Sequence, residues 1–418
     1  MKTLLKSAKI IDVNSPFHLQ RKDVLINKGI ITEIANKIKV EGNTKIIKLD
    51  NLHISIGWFD TSVSLGEPGF EERETIDNGL DVAIKNGFTA IAVNPNTNPV
   101  IDNKSAVSFL ISKAKNKLCN LYPIGNLTQG GNNENLAELY DMQSSGAIAF
   151  GDYKQSIYNA NLLKIALQYT QNFNGLVLSF PQDNSIANGF VHEGEQSTKL
   201  GLRGIPSLAE ELQISRDLFI LEYTGGKLHI PCISTANSVK LVAQAKKKGL
   251  DVTCSVAVHN LFLTDEEILN FNTDCKVLPP LRTEKDRKAL IKGIENGVID
   301  IITSDHNPID IEHKKVEFEN AKYGTIGMES LFGAVNSVVD LEVLIKALTI
   351  NPKKRFGIEL TSIEKGETAN LTLFNPEKDF TFTKNNIQST SKNSAFLNKE
   401  LKGVVYGVFT NKKLEVSR

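Results

Sequence analysis

Between residues 54 and about 350 the chain repeats one pattern, a short apolar run followed by a longer helical stretch. The apolar runs fall at 54–62, 88–94, 118–127, 147–152, 175–180, 227–234, 251–258 and 299–306. Helical spacing is clearest at 104–116, 159–171, 207–223 and 238–248. Fully apolar runs of this length read as strands buried on both faces, and strands alternating with helices build a parallel sheet. Eight near-regular units favour closure, so the pattern predicts an α/β fold, a (β/α)8 TIM-like barrel over 54–355, with a doubly wound sheet as the alternative. The flanks differ. Segments 4–13, 23–26, 30–34 and 44–49 alternate apolar and polar residues, with a turn at Asn27-Lys28-Gly29, and read as antiparallel strands. Short strands return at 370–374, 380–383 and 402–409, around a polar loop at 384–394. Segments 1–53 and 356–418 are therefore expected to join as a small β-sandwich beside the barrel.

Composition excludes several function classes. Lysine plus arginine and aspartate plus glutamate number 48 each, so no net field favours nucleic acid or an anionic membrane. No apolar run approaches the length of a membrane span, and polar residues interrupt the basic N-terminus before a signal peptide can form. Cys119, Cys232, Cys254 and Cys275 lack C-x-x-C spacing and read as reduced thiols in a cytoplasm.

In such a barrel the chemistry sits at the C-terminal ends of the strands. Strand one delivers Asp60, Ser62 and Ser64 to one side, ahead of the turn Gly66-Glu67-Pro68-Gly69, and strand two leads into Asn94-Pro95-Asn96. Strand four ends at Asp152, strand five at Ser179-Phe180, strand six carries His229 and Cys232, and strand eight ends at Asp305-His306. The i, i+2 spacing of 62 and 64 suits a pair of metal ligands, but serine is a poor ligand for Zn²⁺.

Over nearly its whole length the chain resembles the dihydroorotases of the amidohydrolase superfamily, the type with a composite sheet domain. The resemblance rests on Leu65 with Glu67-Pro68-Gly69, Gly87-Phe88-Thr89, Pro95-Asn96-Thr97-Asn98-Pro99 and Gly201-Leu202-Arg203-Gly204-Ile205-Pro206. Ser234-Thr235-Ala236, Pro279-Pro280-Leu281-Arg282, Thr303-Ser304-Asp305-His306 and Ser391-Lys392-Asn393 complete it. It implies zinc ligands at six positions: Ser62 and Ser64 stand where the family has a His-x-His pair, and Phe180 and Cys232 where it has single histidines. Only Asp152, in place of a metal-bridging aspartate, and Asp305, a ligand and proton-handling carboxylate, match. Among substrate contacts Asn96 matches, while Gly66, Leu278 and Ile309 replace an arginine, an asparagine and a histidine.

The residues also have plainer readings. Ser62 and Ser64 read as loop-facing hydroxyls, Phe180 as a space filler and Cys232 as a packed thiol. Asp152 and Asp305, without a cation, would be like charges in one cleft with at least one pKa raised, unless water or nearby donors solvate them. His229 reads as a structural strand histidine, and His306 points away from its neighbour Asp305. His192, His259 and His313 fall in loops or helix starts, and His18 and His53 in the sheet domain. Three functions stay open: a non-catalytic dihydroorotase relative of pyrimidine biosynthesis without a cofactor, a cyclic-amide hydrolase with an altered metal site built from Asp305, Cys232 and Asp152, and a small-molecule binder using Asn96. The resemblance implies a homodimer and aspartate transcarbamoylase as partners.

Overall fold

The computed structural model describes residues 2–40 and 42–416. Eight parallel strands pair in chain order: Trp58–Val63, Phe88–Val93, Asn120–Gly125, Ala149–Phe150, Val177–Leu178, Leu228–Ile230, Val252–Ala257 and Ile301–Thr303. The ring closes beyond the ends of strands one and eight. A parallel bridge joins Val63 to His306, and the Ser64 amide donates to the His306 carbonyl at 2.7 Å. This is the (β/α)8 barrel expected from the strand–helix alternation.

Local chemistry starts five of the helices. Thr75, Asn103, Asn159, Thr235 and Thr283 precede barrel helices, and each side chain accepts a hydrogen bond from a first-turn amide. Every residue of Phe88–Val93 is buried, as a strand covered on both faces requires.

A second sheet gathers strands from both chain ends. Its N-terminal members are Lys2–Ile10, Arg21–Asn27, Ile30–Ala35, Thr44–Ile47 and His53–Ile56, and its C-terminal members are Leu371–Thr381, Glu400–Thr410 and Lys413–Val416. His53–Ile56 is the join, lying between Lys2–Ile10 and Leu371–Thr381. The N-terminal part is mixed rather than antiparallel as expected, because Lys2–Ile10 pairs in parallel with Thr44–Ile47 and with His53–Ile56. Alternation within each strand carries no information about the direction of its neighbour. Ile10, Val24, Ile26, Ile54, Leu371 and Leu373 share one core there. Trp58 couples this sheet to the barrel, its ring 4.9 Å from Phe332 and 5.6 Å from Phe374.

The single strand expected over 54–62 is two strands in two sheets. The chain turns from one to the other at Gly57, whose amide donates to the Asn370 carbonyl at 2.8 Å. A Cβ on Gly57 would lie 2.1 Å from Thr89 Oγ1 and 2.3 Å from Asn370 Oδ1. Both flanks are apolar because both are buried, so the run looks continuous in sequence. Gly57→Val is expected to cost about 1–3 kcal/mol through overpacking, read as a lower urea midpoint. An unchanged midpoint would show that Thr89 and Asn370 move aside freely.

Candidate active site

Strand one places Asp60, Ser62 and Ser64 in buried positions. Asp60 is a structural acceptor. It receives the Thr303 hydroxyl and the Ser304 amide (3.2 Å), which fastens strand one to strand eight. Burial is the main cause of its raised pKa. Ser62 Oγ donates to Asp305 Oδ1 at 3.1 Å. Asn94 Nδ2, at the end of strand two, donates to Ser62 Oγ and to Ser64 Oγ at 3.2 Å each. The serines are thus joined by an amide rather than facing the loop as free hydroxyls.

Asp305 is the centre of the cluster, and its side chain is fully buried. Lys154 Nζ lies 2.8 Å from Asp305 Oδ2, and the lysine side chain is itself only 11% exposed. The contact is ionic, without directional hydrogen-bond geometry. Tyr153 OH donates to Asp305 Oδ1 at 3.0 Å, and the ammonium sits 5.0 Å from the Tyr153 ring centroid. Burial, then the charge of Asp305, push the Tyr153 hydroxyl well above its usual range, so it stays a donor. Neither Tyr153 nor Lys154 stood out in the sequence. The available signal was position: both directly follow Asp152 at the end of strand four.

The two acids therefore do not face each other as bare like charges. Asp152 accepts from the amides of Leu127 (2.9 Å) and Thr128 (3.0 Å) and from the Thr128 hydroxyl. Its pKa is raised by burial, which these bonds oppose, and Asp305 is not among the causes. Of the two readings for the pair, solvation by nearby donors describes Asp152, and an ion pair describes Asp305.

Phe180 packs with Ile205, Ala209 and Leu278 in one apolar cluster. A residue at a metal-ligand position and one at a substrate-contact position are thus packed together. Burial, followed by the charge of Asp305, drives the Cys232 thiol well above its usual range. Gly66 sits in a closed turn, where a Cβ would lie 1.8 Å from the Phe70 carbonyl oxygen. Ile309 is buried, its amide donating to Asn393 Oδ1 at 3.1 Å. Asn96 is half-buried and lies outside the lining of the central cavity.

Of the histidines, His229 lines the central cavity and the others do not. His229 is held between Thr253 Oγ1 (2.8 Å) and Ser255 Oγ (3.2 Å). His306 is buried, its Nδ1 accepting from the Gly327 amide at 3.2 Å. His192 lies in a two-residue strand, Val191–His192, rather than in a loop or helix start. His259 is buried with both ring nitrogens unpartnered, and burial lowers its pKa to about 4.

Zinc takes four ligands from imidazole, thiolate or carboxylate. These residues do not fit it. Phenylalanine cannot coordinate, serine is a poor ligand, Asp152 is committed to Thr128 and Leu127, an ammonium sits on Asp305, and Cys232 alone is too few. Among the described residues no three His, Cys, Asp or Glu side chains group closely enough to hold a metal ion. The cavity bounded by Ser62, Tyr153, Lys154, Phe180, Cys232 and Asp305 measures about 30 Å³. That is room for a water or two.

Residues 53–238 match the dihydro-orotase-like family and residues 217–411 the amidohydrolase family. A dihydroorotase of Acetivibrio thermocellus is 40% identical over 397 residues, covering 93% of each chain. One from Pelotomaculum thermopropionicum is 38% identical, covering 97% of this chain and 96% of its own. Among solved structures, the L-hydantoinase (dihydropyrimidinase) of Arthrobacter aurescens superposes with a TM-score of 0.85 at 20% identity, covering 100% of this chain and 97% of that one. At that identity the likeness speaks for the fold alone.

The buried neutral His259 fixes a pH dependence. Its pKa near 6.5 in the unfolded chain falls to about 4 in the fold, so between those values the unfolded chain binds more protons. Stability is full above pH 6.5 and falls as pH drops toward 4, by roughly 3 kcal/mol from this group at most. His259→Gln should reduce the slope of the denaturation free energy across that window by this group's share, while the buried His192 and His229, also lowered, keep theirs. An unchanged slope would show that His259 is not the group responsible.

Proposed function

The chain belongs to the dihydroorotase family of the amidohydrolase superfamily, and from that premise we propose that it is a non-catalytic member, without zinc, whose barrel serves protein assembly in pyrimidine biosynthesis. The ammonium of Lys154 on Asp305 carries this reading. In the family's pattern that carboxylate binds metal and handles the proton. Here its charge is already balanced, and a cation would have to displace a buried lysine. Without a Lewis acid the attacking water keeps a pKa near 15.7, and nothing polarises the amide carbonyl. Gly66, Leu278 and Ile309 add no charge-assisted contact for a substrate carboxylate.

Two alternatives fare worse. A hydrolase with an altered site needs Asp305, Cys232 and Asp152 as ligands, and the two carboxylates are otherwise engaged. A small-molecule binder needs a pocket of roughly 300 Å³ or more. The cavity of about 30 Å³ is far smaller, and Asn96 does not line it.

The partners proposed are a second copy of this chain and an aspartate transcarbamoylase, in a cytoplasmic complex without nucleic acid or membrane. Equal counts of basic and acidic residues, four free buried cysteines, and the absence among the described residues of a helix able to cross a membrane support that setting. Elemental analysis after expression with zinc, beside dihydroorotate hydrolysis and formation assays, is the test. Substoichiometric zinc, no turnover, and co-elution with a co-expressed transcarbamoylase are expected. One equivalent of zinc surviving dialysis, or turnover abolished by Asp305→Ala, would overturn the non-catalytic reading. A transcarbamoylase that assembles and works equally well without this chain would overturn the partnership.

A further inference from the structure

The longest helix among the described residues, Ser207–Thr224, presents a face that nothing in the chain covers. Leu208, Leu212, Phe219 and Tyr223 lie along it and are 52%, 45%, 71% and 79% exposed. Their spacing puts all four on one side of the helix. The spacing is also symmetric. Leu208 precedes the point between Ser215 and Arg216 by as far as Tyr223 follows it, and Leu212 and Phe219 are matched in the same way.

We propose that this face is a two-fold contact between copies of this chain. An isologous interface must be complementary to itself under a two-fold rotation. With the axis near Ser215, the antiparallel helix of a second copy sets each leucine against an aromatic ring, Leu208 to Tyr223 and Leu212 to Phe219. A groove of about 100 Å³ runs alongside, lined by Leu218, Phe219, Leu241, Ala245 and Leu250, and receives the partner's apolar side chains.

The charges bordering the stripe already have partners. Glu211 accepts from Thr235 Oγ1 (3.2 Å) and Asn237 Nδ2 (3.1 Å), Arg216 pairs with Asp217 (2.7 Å), and Glu222 pairs with Lys248 (2.8 Å). Arg216 and Glu222 therefore enter the contact with their charges paired, and Glu211 with its carboxylate hydrogen-bonded by neutral donors. The area suffices. Large aromatic side chains bury about 150–250 Å² each, so Phe219 and Tyr223 alone supply on the order of 600 Å² over two copies. With the leucines and rim the total reaches about 1,000 Å², the lower range of specific interfaces.

This contact deepens the assembly reading by naming the surface for the second copy, and it does not depend on the transcarbamoylase. Sedimentation velocity of the full chain at micromolar concentration should show a dimer. Phe219→Glu with Tyr223→Glu should give a monomer with unchanged circular dichroism and melting temperature. The native cysteines are all buried. Ser215→Cys therefore adds an accessible thiol beside the axis, and mild oxidation should give a disulfide-linked dimer on a non-reducing gel. Should the double glutamate variant unfold, the cross-link decides instead. A wild-type monomer, a dimer that survives both glutamates, or, in that last case, absence of the cross-link overturns the proposal. Co-elution with a transcarbamoylase is read separately, so its failure leaves this contact standing.

Discussion

A carboxylate buried at the mouth of a barrel needs donors enough to hold it or a positive charge beside it. Leaving Asp305 unpaired there would cost several kcal/mol or force it to bind a proton. Lys154 supplies the charge from the end of strand four, 2.8 Å away. The rest of the cluster follows from that pair. Ser62 and Tyr153 donate to the other carboxylate oxygen, Asn94 fixes Ser62 and Ser64, and Cys232 and His259 stay neutral against a balanced centre.

The departures from the family pattern belong together. Phe180 and Leu278, which stand where the resemblance implies a ligand and a substrate contact, pack into one cluster. Gly66 replaces an arginine and lets its turn close on Phe70, so no side chain fits there without moving the loop. The retained motifs serve the frame. Arg282 is buried and donates to Ser234 Oγ (3.0 Å) and the Ile205 carbonyl (2.9 Å), while Glu210 accepts from the amides of Ser234 (2.8 Å) and Thr235 (3.0 Å). Buried polar networks of this kind hold only when every member is satisfied. The frame therefore rests on Arg282 and Glu210 and not on the cluster around Asp305.

Much of the fold was legible because burial dictates it. Seven of the eight barrel strands lie inside the apolar runs read from the sequence, and the first, Trp58–Val63, overruns its run by one residue, since a strand covered on both faces is mostly apolar. The split at Gly57 was hidden for the same reason: two cores meet there without a polar break. In the site, Cys232 is of a type that can bind zinc, whereas Ser62, Ser64 and Phe180 were visible as residue types that bind it poorly or not at all. Lys154 was not, because a lysine in a polar loop reads as a solvated charge until the ring of strands turns it inward. Asn94 escaped because the resemblance directed attention to its neighbour Asn96. The self-matching stripe on Ser207–Thr224 was masked by a helix with apolar residues on more than one side.

The claim that Lys154 stands in for a metal charge at Asp305 is tested most directly by a double-mutant cycle on folding stability. Lys154→Met, Asp305→Asn and the double variant would be unfolded in urea at pH 7. Either single change should destabilise by about 3–5 kcal/mol, since it leaves a buried charge without its partner. The double variant should cost much less than the sum, with a coupling on the order of 2 kcal/mol. Additivity to within about 0.5 kcal/mol would contradict the account, because two residues that do not depend on each other cannot share one charge balance.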